Sequence, residues 1–285
     1  RAAPVVSDPP VRSDLPADPR ALLALAEPIA REVASALLAS LDGDGPSISA
    51  KSTPTDLVTE LDIWAEATIA ERIHAARPDD SIEGEEGAAV TGGSGVSWSV
   101  DPIDGTINFI HHLPGFNVSI AALVGDQPIA GVVVSPLTRE VFTATLGGGA
   151  HLDGTEGLGP TPLRCATPPS LARSLVATGF AYDPGRRTRQ AEVLARTIGH
   201  LADIRRFGAA ATDLCLVAAG RVDAYWEVGL NRWDHAAGGL IASEAGARVG
   251  SLDGGAPSSA SMLAAAPEIW DELGALLLTN GAADV

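Results

Sequence analysis

Fold and site both depend on residues 101–109, which read DPIDGTINF. The strand-forming run Trp98–Val100 comes directly before them, so Asp101 lies at the carboxyl end of a predicted strand, where α/β folds bind ligands. Asp101 and Asp104 stand three residues apart around a predicted turn, and two carboxylates at that spacing can face one cation. The stretch therefore predicts a cation site, although Asp and Gly also favour turns for backbone reasons alone.

Backbone groups of the same stretch extend this pattern. The carbonyl of Ile103 can add a third oxygen, and hard cations such as Mg²⁺ prefer oxygen ligands. Gly105 and Thr106 would offer N–H groups at the start of a helix, which favours an anion such as phosphate.

A second acidic cluster, GEEG at residues 84–87, follows the short predicted strand Ser81–Glu83. Adjacent side chains at a strand end point in opposite directions, so we expect only one of Glu85 and Glu86 to face a site. A solvated acidic loop is the alternative.

Two further clusters fall at predicted helix starts. In WDHAAG, residues 233–238, Asp234 sits where an N-cap residue would, and both capping and a functional role stay open. In DLVTELD, residues 56–62, Asp62 falls at the N3 position, where it could form a capping pair with Thr59.

Hydrophobic periodicity divides the chain into two halves after a loose tail at residues 1–18. In the first half, residues 19–170, helices are predicted at 20–41 and 59–77, and strands at 81–83, 98–100, 116–124, 129–134 and 141–146. The second half, residues 171–285, alternates. Its predicted strands are 175–178, 204–207, 224–228 and 262–266, and its predicted helices are 187–201, 210–219, 234–245 and 267–278. This order predicts an α/β protein with two stacked α/β layers.

Composition excludes several classes of protein. The 285 residues carry 19 basic and 36 acidic side chains, a net charge of −17, which argues against nucleic-acid binding because phosphate contacts need clustered Lys and Arg. Cys165 and Cys215 are too few and too far apart for a disulfide framework or a zinc site. No apolar run reaches the roughly 18 residues of a membrane helix, and the first residues lack the apolar core of a signal peptide. We expect a cytosolic protein that does not bind membranes.

Taken together, the clusters resemble the inositol monophosphatase family of Mg²⁺-dependent, lithium-sensitive phosphatases. The resemblance covers nearly all of residues 20–280 and rests on order and spacing. Its motifs are KSTPTDLVT at 51–59, GEE at 84–86, DPIDGTINF at 101–109, and Trp233-Asp234 followed by EAG at 244–246. It implies a layered αβαβα sandwich of the inositol monophosphatase and fructose-1,6-bisphosphatase type.

The resemblance also implies a ligand set for two or three Mg²⁺ ions. Glu85, Asp101 and the carbonyl of Ile103 would hold the first. Asp101, Asp104 and Asp234 would hold the second, and Glu85 with waters a weaker third. Mn²⁺ is a potential substitute and Li⁺ an inhibitor. Without cations, carboxylates packed this closely repel one another, so we expect partial disorder or raised pKa values.

The remaining roles also come from the resemblance. Asp62 and Thr106, together with Glu85, would act in catalysis by orienting a water that the metal activates. The Gly105 and Thr106 N–H groups would bind phosphate. Glu227 would receive inositol hydroxyls, with Asp234 also at the substrate, although Glu227 could instead be an exposed strand-end residue.

These roles predict a homodimeric phosphomonoesterase that acts on inositol 1-phosphate or on related polyol or sugar phosphates. The alternatives are histidinol phosphate, fructose 1,6-bisphosphate or adenosine 3′,5′-bisphosphate as substrate, or a regulatory binding protein on the same fold. No order of Ser, His and Asp suggests a covalent route.

Other polar residues carry weaker signals. Lys51 is the only lysine of the chain and lies in a motif, which hints at a role near the phosphate or behind the ligands. We interpret His111 and His112 as loop surface, and His235 more as a structural neighbour of Asp234 than as a substrate contact.

Overall fold

The computed structural model describes residues 15–41, 48–51, 57–154 and 159–285. Most of the predicted tail, residues 1–14, lies outside the described residues, as do residues 52–56 of the first motif.

Strands of the described residues form three sheets. The smallest pairs β1 (Ile48–Ala50) with β2 (Leu57–Thr59), antiparallel. The largest contains eight strands: β3 (Ser81–Gly84), β4 (Ala89–Val90), β5 (Val96–Asp104), β6 (Asn117–Val124), β7 (Gln127–Ser135), β8 (Glu140–Thr145), β9 (Gly149–Asp153) and β10 (Thr161–Pro162). The third contains five: β11 (Leu175–Thr178), β12 (Asp203–Arg205), β13 (Ala224–Glu227), β14 (Arg248–Gly250) and β15 (Met262–Ala265).

The eight-stranded sheet runs in the order β10-β9-β8-β7-β6-β5-β3-β4. Its neighbours are antiparallel except β3 and β5, which are parallel. Strands β6 and β7 at its centre are almost entirely buried, which explains why they read as continuous apolar runs without alternation. The parallel pair brings the carboxyl ends of β3 and β5 to the same edge of the sheet.

The five-stranded sheet has the order β12-β11-β13-β15-β14. Strands β12, β11 and β13 are parallel, and β15 returns antiparallel to β13. The predicted division at residue 170 falls between the last strand of the larger sheet and the first of this one.

Helices separate and flank the two sheets. Their bounds are α1 (Pro19–Ser40), α2 (Glu60–Ala76), α3 (Thr106–Ile110), α4 (Pro184–Thr197), α5 (Ala210–Ala218), α6 (Arg232–Glu244) and α7 (Trp270–Thr279).

Three hydrophobic cores show the layering. The first joins α1 and α2 to one face of the larger sheet, the second places α5 and α6 between the sheets, and the third joins the outer face of the smaller sheet to α4 and α7. The order is therefore α, β, α, β, α, and the predicted layered fold is confirmed.

Close approach of α6 to the larger sheet depends on two small residues. A Cβ at Gly131 of β7 would lie 3.1 Å from Cα of Ala237, so any larger residue there would push the helix away. This contact sets the distance between α6 and β7 and so helps to position the start of α6 at the edge of the sheet.

Several element bounds differ from the sequence expectations. Helix α4 begins at Pro184, not near residue 187, because the Asp183 side chain caps it by accepting from the Arg186 N–H. The last helix begins at Trp270, three residues later than predicted. Strands β1, β2, β4, β9, β10 and β14 were not predicted, being short and close to glycine or proline. In the described ranges, no helix is long and apolar enough to cross a membrane.

Candidate functional site

A cavity of about 430 Å³ opens where the carboxyl ends of β5 and β13 meet the first turns of α3, α5 and α6. Its lining includes all but one of the candidate site residues predicted from the sequence: Glu85, Asp101, Ile103, Asp104, Gly105, Thr106, Glu227 and Asp234. The exception, Asp62, is fully buried directly behind Thr106. The chain thus brings together residues up to 172 positions apart.

The end of β5 places the two central carboxylates. The strand continues through Asp104 instead of turning after Val100 as expected, and its register with β6 shifts between Asp101 and Asp104. Such an irregularity re-aims side chains that regular alternation would send to opposite faces. Oδ1 of Asp101 accepts a hydrogen bond from the Ile103 N–H at 3.1 Å.

Asp104 joins the sheet to the middle helical layer. Its Oδ2 accepts from Asn117 Nδ2 and from the Ala211 N–H, both at 2.8 Å, and its Oδ1 accepts from the Ala210 N–H at 3.2 Å. The start of α5 is therefore held by a carboxylate that lines the cavity.

The turn into α3 requires glycine. Gly105 has φ +87°, and a Cβ there would lie 3.0 Å from Ala209 Cβ and 3.1 Å from the Gly115 carbonyl oxygen. Both the left-handed backbone and the crowding exclude a side chain. Gly105 and Thr106 therefore line the cavity closely, as a phosphate contact would need.

Asp62 is held by the start of its own helix and faces Thr106. Its Oδ2 accepts from the Thr59 N–H at 2.8 Å and from the Thr59 hydroxyl at 2.5 Å, which confirms the predicted capping pair. The Thr106 hydroxyl lies 3.2 Å from Asp62 Oδ1 and 3.1 Å from the Ile103 carbonyl oxygen. Asp62 caps its helix through Oδ2 and contacts the Thr106 hydroxyl through Oδ1. It can therefore be a capping residue and a candidate catalytic residue at the same time.

The loop after β3 carries Glu85 into the cavity. Glu66 of α2 is 4% exposed, and its two oxygens accept from the N–H groups of Glu86 and Ala88, each at 2.6 Å. Of the two adjacent glutamates, only Glu85 lines the cavity. Both nevertheless contact Lys51, whose Nζ lies 2.8 Å from Glu85 Oε1 and 2.5 Å from Glu86 Oε1.

Asp234 does not occupy the N-cap position that the sequence suggested. Helix α6 begins two residues earlier, and its N-cap is the extended Asn231, a residue type favoured there. Asp234 is at N3, where its Oδ2 accepts from the Asn231 N–H at 2.6 Å. This geometry turns the carboxylate back along the helix axis and toward the cavity, which Asp234 lines.

On the other side of the cavity, Glu227 is fixed by its own strand. Tyr225, two residues earlier on β13, donates its hydroxyl to Glu227 Oε2 at 2.6 Å. A Cβ at Gly179 would lie 1.8 Å from that oxygen, so glycine at 179 leaves the space that the carboxylate fills. Glu227 is therefore an ordered wall of the cavity and not an exposed strand end.

Burial and mutual repulsion together raise the pKa values of the aspartates in this site. Burial, followed by the charges of Glu85, Asp104 and Asp234, raises the pKa of Asp101 well above its usual range. Burial also raises the pKa of Asp104 to about 7, against the opposing hydrogen bonds from Asn117 and Ala211, and raises the pKa of Asp234. The expectation of raised carboxylate pKa values is confirmed.

Lys51 is the one cation paired directly with this set in the described residues. Burial disfavours its charge, but the negative charges of Glu85 and Glu86 outweigh that effect, so the pKa of Lys51 is raised. One ammonium group cannot neutralise four carboxylates, and the remaining negative charge favours further cations.

The donor set fits a hard divalent cation. Carboxylate oxygens with one backbone carbonyl are the ligands that Mg²⁺ prefers, and the cavity has room for ions and a phosphate group. Across the described ranges, no three aspartate, glutamate, cysteine or histidine side chains are grouped so that, in their present conformations, they could coordinate one metal ion. Glu85 pairs with Lys51, Asp104 accepts from the Ala211 N–H, and Asp234 accepts from the Asn231 N–H.

The histidines lie outside this arrangement. His111 and His112 are exposed, as predicted. His235 does not line this cavity, and burial together with the charge of Arg232 lowers its pKa to about 4. It is therefore neutral and sits behind Asp234.

Sequence reasoning missed three side chains of this region: Glu66, Asn117 and Asp213. Glu66 carried a usable signal, since it lies on the same face of α2 as the buried residues Asp62, Ile69 and Ile73. A charged residue inside an apolar stripe requires a partner. Asn117 gave no such local signal, because its partners Asp104 and Thr212 lie 13 and 95 positions away, and Asp213 gave none because the cavity that it lines is built from distant segments.

Comparisons with known proteins agree with this geometry. The model of the inositol monophosphatase family matches residues 18–280. Inositol-1-monophosphatase SuhB of Mycobacterium tuberculosis is 47% identical over 242 residues, which are 83% of this chain and 82% of that protein. Nus factor SuhB of Pasteurella multocida is 43% identical over 227 residues, 78% of this chain and 82% of that protein.

Among solved structures, Mycobacterium tuberculosis SuhB superposes with a TM-score of 0.79 and 41% sequence identity, covering 93% of this chain and 99% of that one. Since the family model spans most of the chain and the relatives match along most of their own length, this chain belongs to the inositol monophosphatase family and is a phosphatase.

Proposed function

We propose that this phosphatase is Mg²⁺-dependent and hydrolyses inositol 1-phosphate, with related polyol or sugar phosphates as further substrates. One observation carries the proposal: a single cavity joins the crowded carboxylates Glu85, Asp101, Asp104 and Asp234 to the ordered Glu227 on its opposite wall. The four crowded carboxylates can bind cations that contact a phosphoryl group, and Glu227 can accept hydrogen bonds from the hydroxyls of the alcohol.

Glu85, Asp101, Asp104, Asp234 and the carbonyl of Ile103 would hold two or three Mg²⁺ ions. When bound, such ions lower the pKa of water to make a nucleophile and neutralise charge on the phosphoryl oxygens.

Other residues of the chain orient the reacting groups. Asp62 is fixed by Thr59 and holds the Thr106 hydroxyl, and this pair would accept a proton from an attacking water. Gly105 and Thr106 line the cavity, and their N–H groups would receive phosphate oxygens. Because Asp62 is buried and held from two sides, its geometry is set before substrate arrives.

Glu227 supports a polyol as the alcohol. A carboxylate accepts hydrogen bonds only, so Glu227 matches the hydroxyl donors of a polyol. Inositol 1-phosphate carries more hydroxyl groups than fructose 1,6-bisphosphate, adenosine 3′,5′-bisphosphate or histidinol phosphate, and we therefore favour it as the substrate. A panel assay of these four esters ranks them directly.

The second candidate is a regulatory binding role, because some relatives are named Nus factor SuhB. The carboxylate set is complete in this chain, which such a role alone does not need. A homodimer, proposed from family resemblance, is tested by sedimentation of the purified chain.

The deciding experiment measures phosphate release from inositol 1-phosphate with and without Mg²⁺ in the wild type and in Asp104→Asn. We expect Mg²⁺-dependent release that the variant loses. Asp79→Asn removes an exposed carboxylate far from the cavity lining and serves as the control. Circular dichroism confirms that both variants fold. Intact activity in a folded Asp104→Asn would refute the metal assignment.

A further inference from the structure

One oxygen of the buried Asp213 carboxyl group has no hydrogen-bond partner among the described residues. The residue is 1% exposed, and its Oδ1 accepts no hydrogen bond in the part of the chain that the structure describes. Burying an unsatisfied carboxyl group is costly, and native proteins keep few such groups. Neither folding nor the steps described above account for this one.

Asp213 belongs to the first turn of α5 and lines the same cavity as Glu227. That turn is held in place by the hydrogen bonds from the Ala210 and Ala211 N–H groups to Asp104. Both residues line this one cavity, and burial followed by the charge of Glu227 raises the pKa of Asp213. The unsatisfied group is therefore directed at the alcohol side of the cavity.

We propose that Asp213 is a specificity-determining residue that forms, with Glu227, a paired-carboxylate subsite for neighbouring hydroxyl groups of a polyol phosphate. This inference rests on the proposed function. Its new element is Asp213, which no sequence motif singled out.

The geometry matches hydroxyl donors. Tyr225 donates to Oε2 of Glu227 and leaves Oε1 free to accept. Oδ1 of Asp213 accepts no hydrogen bond from the described residues, so a ligand that brings two adjacent hydroxyls could donate one to each carboxylate. The phenyl group of an aromatic phosphate ester carries no hydroxyl, so it would leave both carboxylates without a donor from the ligand. The subsite thus selects the alcohol, while the phosphate end is common to all esters.

The test compares kcat/KM for inositol 1-phosphate and for phenyl phosphate in the wild type and in Asp213→Asn. We expect the ratio of the two values to fall by about tenfold or more, the factor for one hydrogen bond to a charged group. The exposed Asp253→Asn is the matched control, and its ratio should equal that of the wild type. An unchanged ratio in Asp213→Asn overturns the proposal.

Thermal unfolding separates specificity from a structural role. Because Oδ1 of Asp213 accepts no hydrogen bond from the described residues, the near-isosteric asparagine removes a buried acidic group and breaks no hydrogen bond at that atom, so Tm should match or exceed that of the wild type. A Tm several degrees lower would make Asp213 a structural residue and overturn the proposal.

Failure of the proposed function gives a different result. If the wild type hydrolyses phenyl phosphate and not inositol 1-phosphate, the substrate assignment fails and the subsite fails with it. If the wild type hydrolyses inositol 1-phosphate and Asp213→Asn lowers both kcat/KM values equally, the substrate stands and the subsite falls. If neither ester is hydrolysed, calorimetry with inositol 1-phosphate decides: binding that Asp213→Asn weakens supports the subsite, and equal or absent binding overturns it.

Discussion

Lys51 forms an ion pair with Glu85, with 2.8 Å between Nζ and Oε1. An ammonium group thus occupies the carboxylate that is proposed to hold an ion, and the two cations compete for it. In Lys51→Gln we expect the Mg²⁺ concentration for half-maximal thermal stabilisation to fall about fivefold, which corresponds to about 1 kcal/mol for a partly buried pair. Arg72→Gln, which breaks an exposed pair with Glu32, should leave that concentration unchanged. Weaker Mg²⁺ binding in Lys51→Gln would contradict the competition.

The raised carboxylate pKa values predict how the metal-free protein responds to pH. Asp104 titrates near 7 when folded and near 3.9 when unfolded, so the folded state binds more protons between these values. Its contribution to stability is then full below about pH 4 and is lost as pH rises through about 7. Asp101 and Asp234 act in the same direction.

Calorimetry in EDTA between pH 5 and pH 7.5 checks this sign. The decrease in Tm should be smaller in Asp104→Asn than in the wild type, and Mg²⁺ should raise the Tm of the wild type most at the higher pH. If Mg²⁺ left the Tm of the wild type unchanged at pH 7.5, this would contradict the interpretation that repulsion between the carboxylates destabilises the metal-free protein.

Glu66 positions the loop that carries Glu85 through two backbone N–H groups. Glutamine in its place can accept only one of these hydrogen bonds. Glu66→Gln should therefore lower the free energy of unfolding by about 1–3 kcal/mol and weaken Mg²⁺ binding as the loop loosens. The exposed Glu71→Gln on the same helix serves as control. If the free energy of unfolding and Mg²⁺ binding were both unchanged in Glu66→Gln, the loop would keep its conformation without the hydrogen bonds to Glu66.

The contact between Thr106 and Asp62 predicts a dependence on the hydroxyl group alone. Thr106→Ser keeps that group, whereas Thr106→Ala removes it and leaves Asp62 Oδ1 without this donor. We expect kcat of the alanine variant to fall about 100-fold, within the usual range for a group that handles a proton, and the serine variant to retain most activity. Equal loss in both variants would assign the role to packing by the methyl group.

Packing between α5 and α6 gives a prediction about stability. A Cβ at Gly238 would lie 2.8 Å from Leu214 Cβ and 3.0 Å from the Ala211 carbonyl oxygen, while at Gly239 the nearest atom is 3.5 Å away. Gly238→Ala should destabilise the protein by about 1–3 kcal/mol. Gly239→Ala should be neutral or stabilise it by up to about 1 kcal/mol, because alanine favours a helix. Urea denaturation of both variants measures the difference.

The fold was predictable where a segment carries its own periodicity. Strand β11 and helix α5 lie where the pattern placed them, to within one residue. Short strands such as β9 and β14 were not, since each is defined by its pairing with other strands and not by a pattern of its own.

The cavity was predictable residue by residue only where motifs are contiguous. DPIDGTINF identified the central carboxylates, but the continuation of β5 through Asp104 depends on its pairing with Asn117, 13 positions later. Asp213 and Glu227 meet because α5 and β13 pack against each other in the fold, and neither residue's own neighbours in sequence indicate that contact.

Two carboxylates of the candidate site, Asp62 and Asp234, also start their helices, and Asp104 secures the start of a third. Selection for folding alone would preserve these three aspartates in a descendant that had abandoned catalysis. Glu85 is different, because within the described residues its side chain pairs with Lys51 and holds no helix or turn. Among related chains, the residue at the position of Glu85 therefore indicates more clearly than the three aspartates whether catalysis is still under selection.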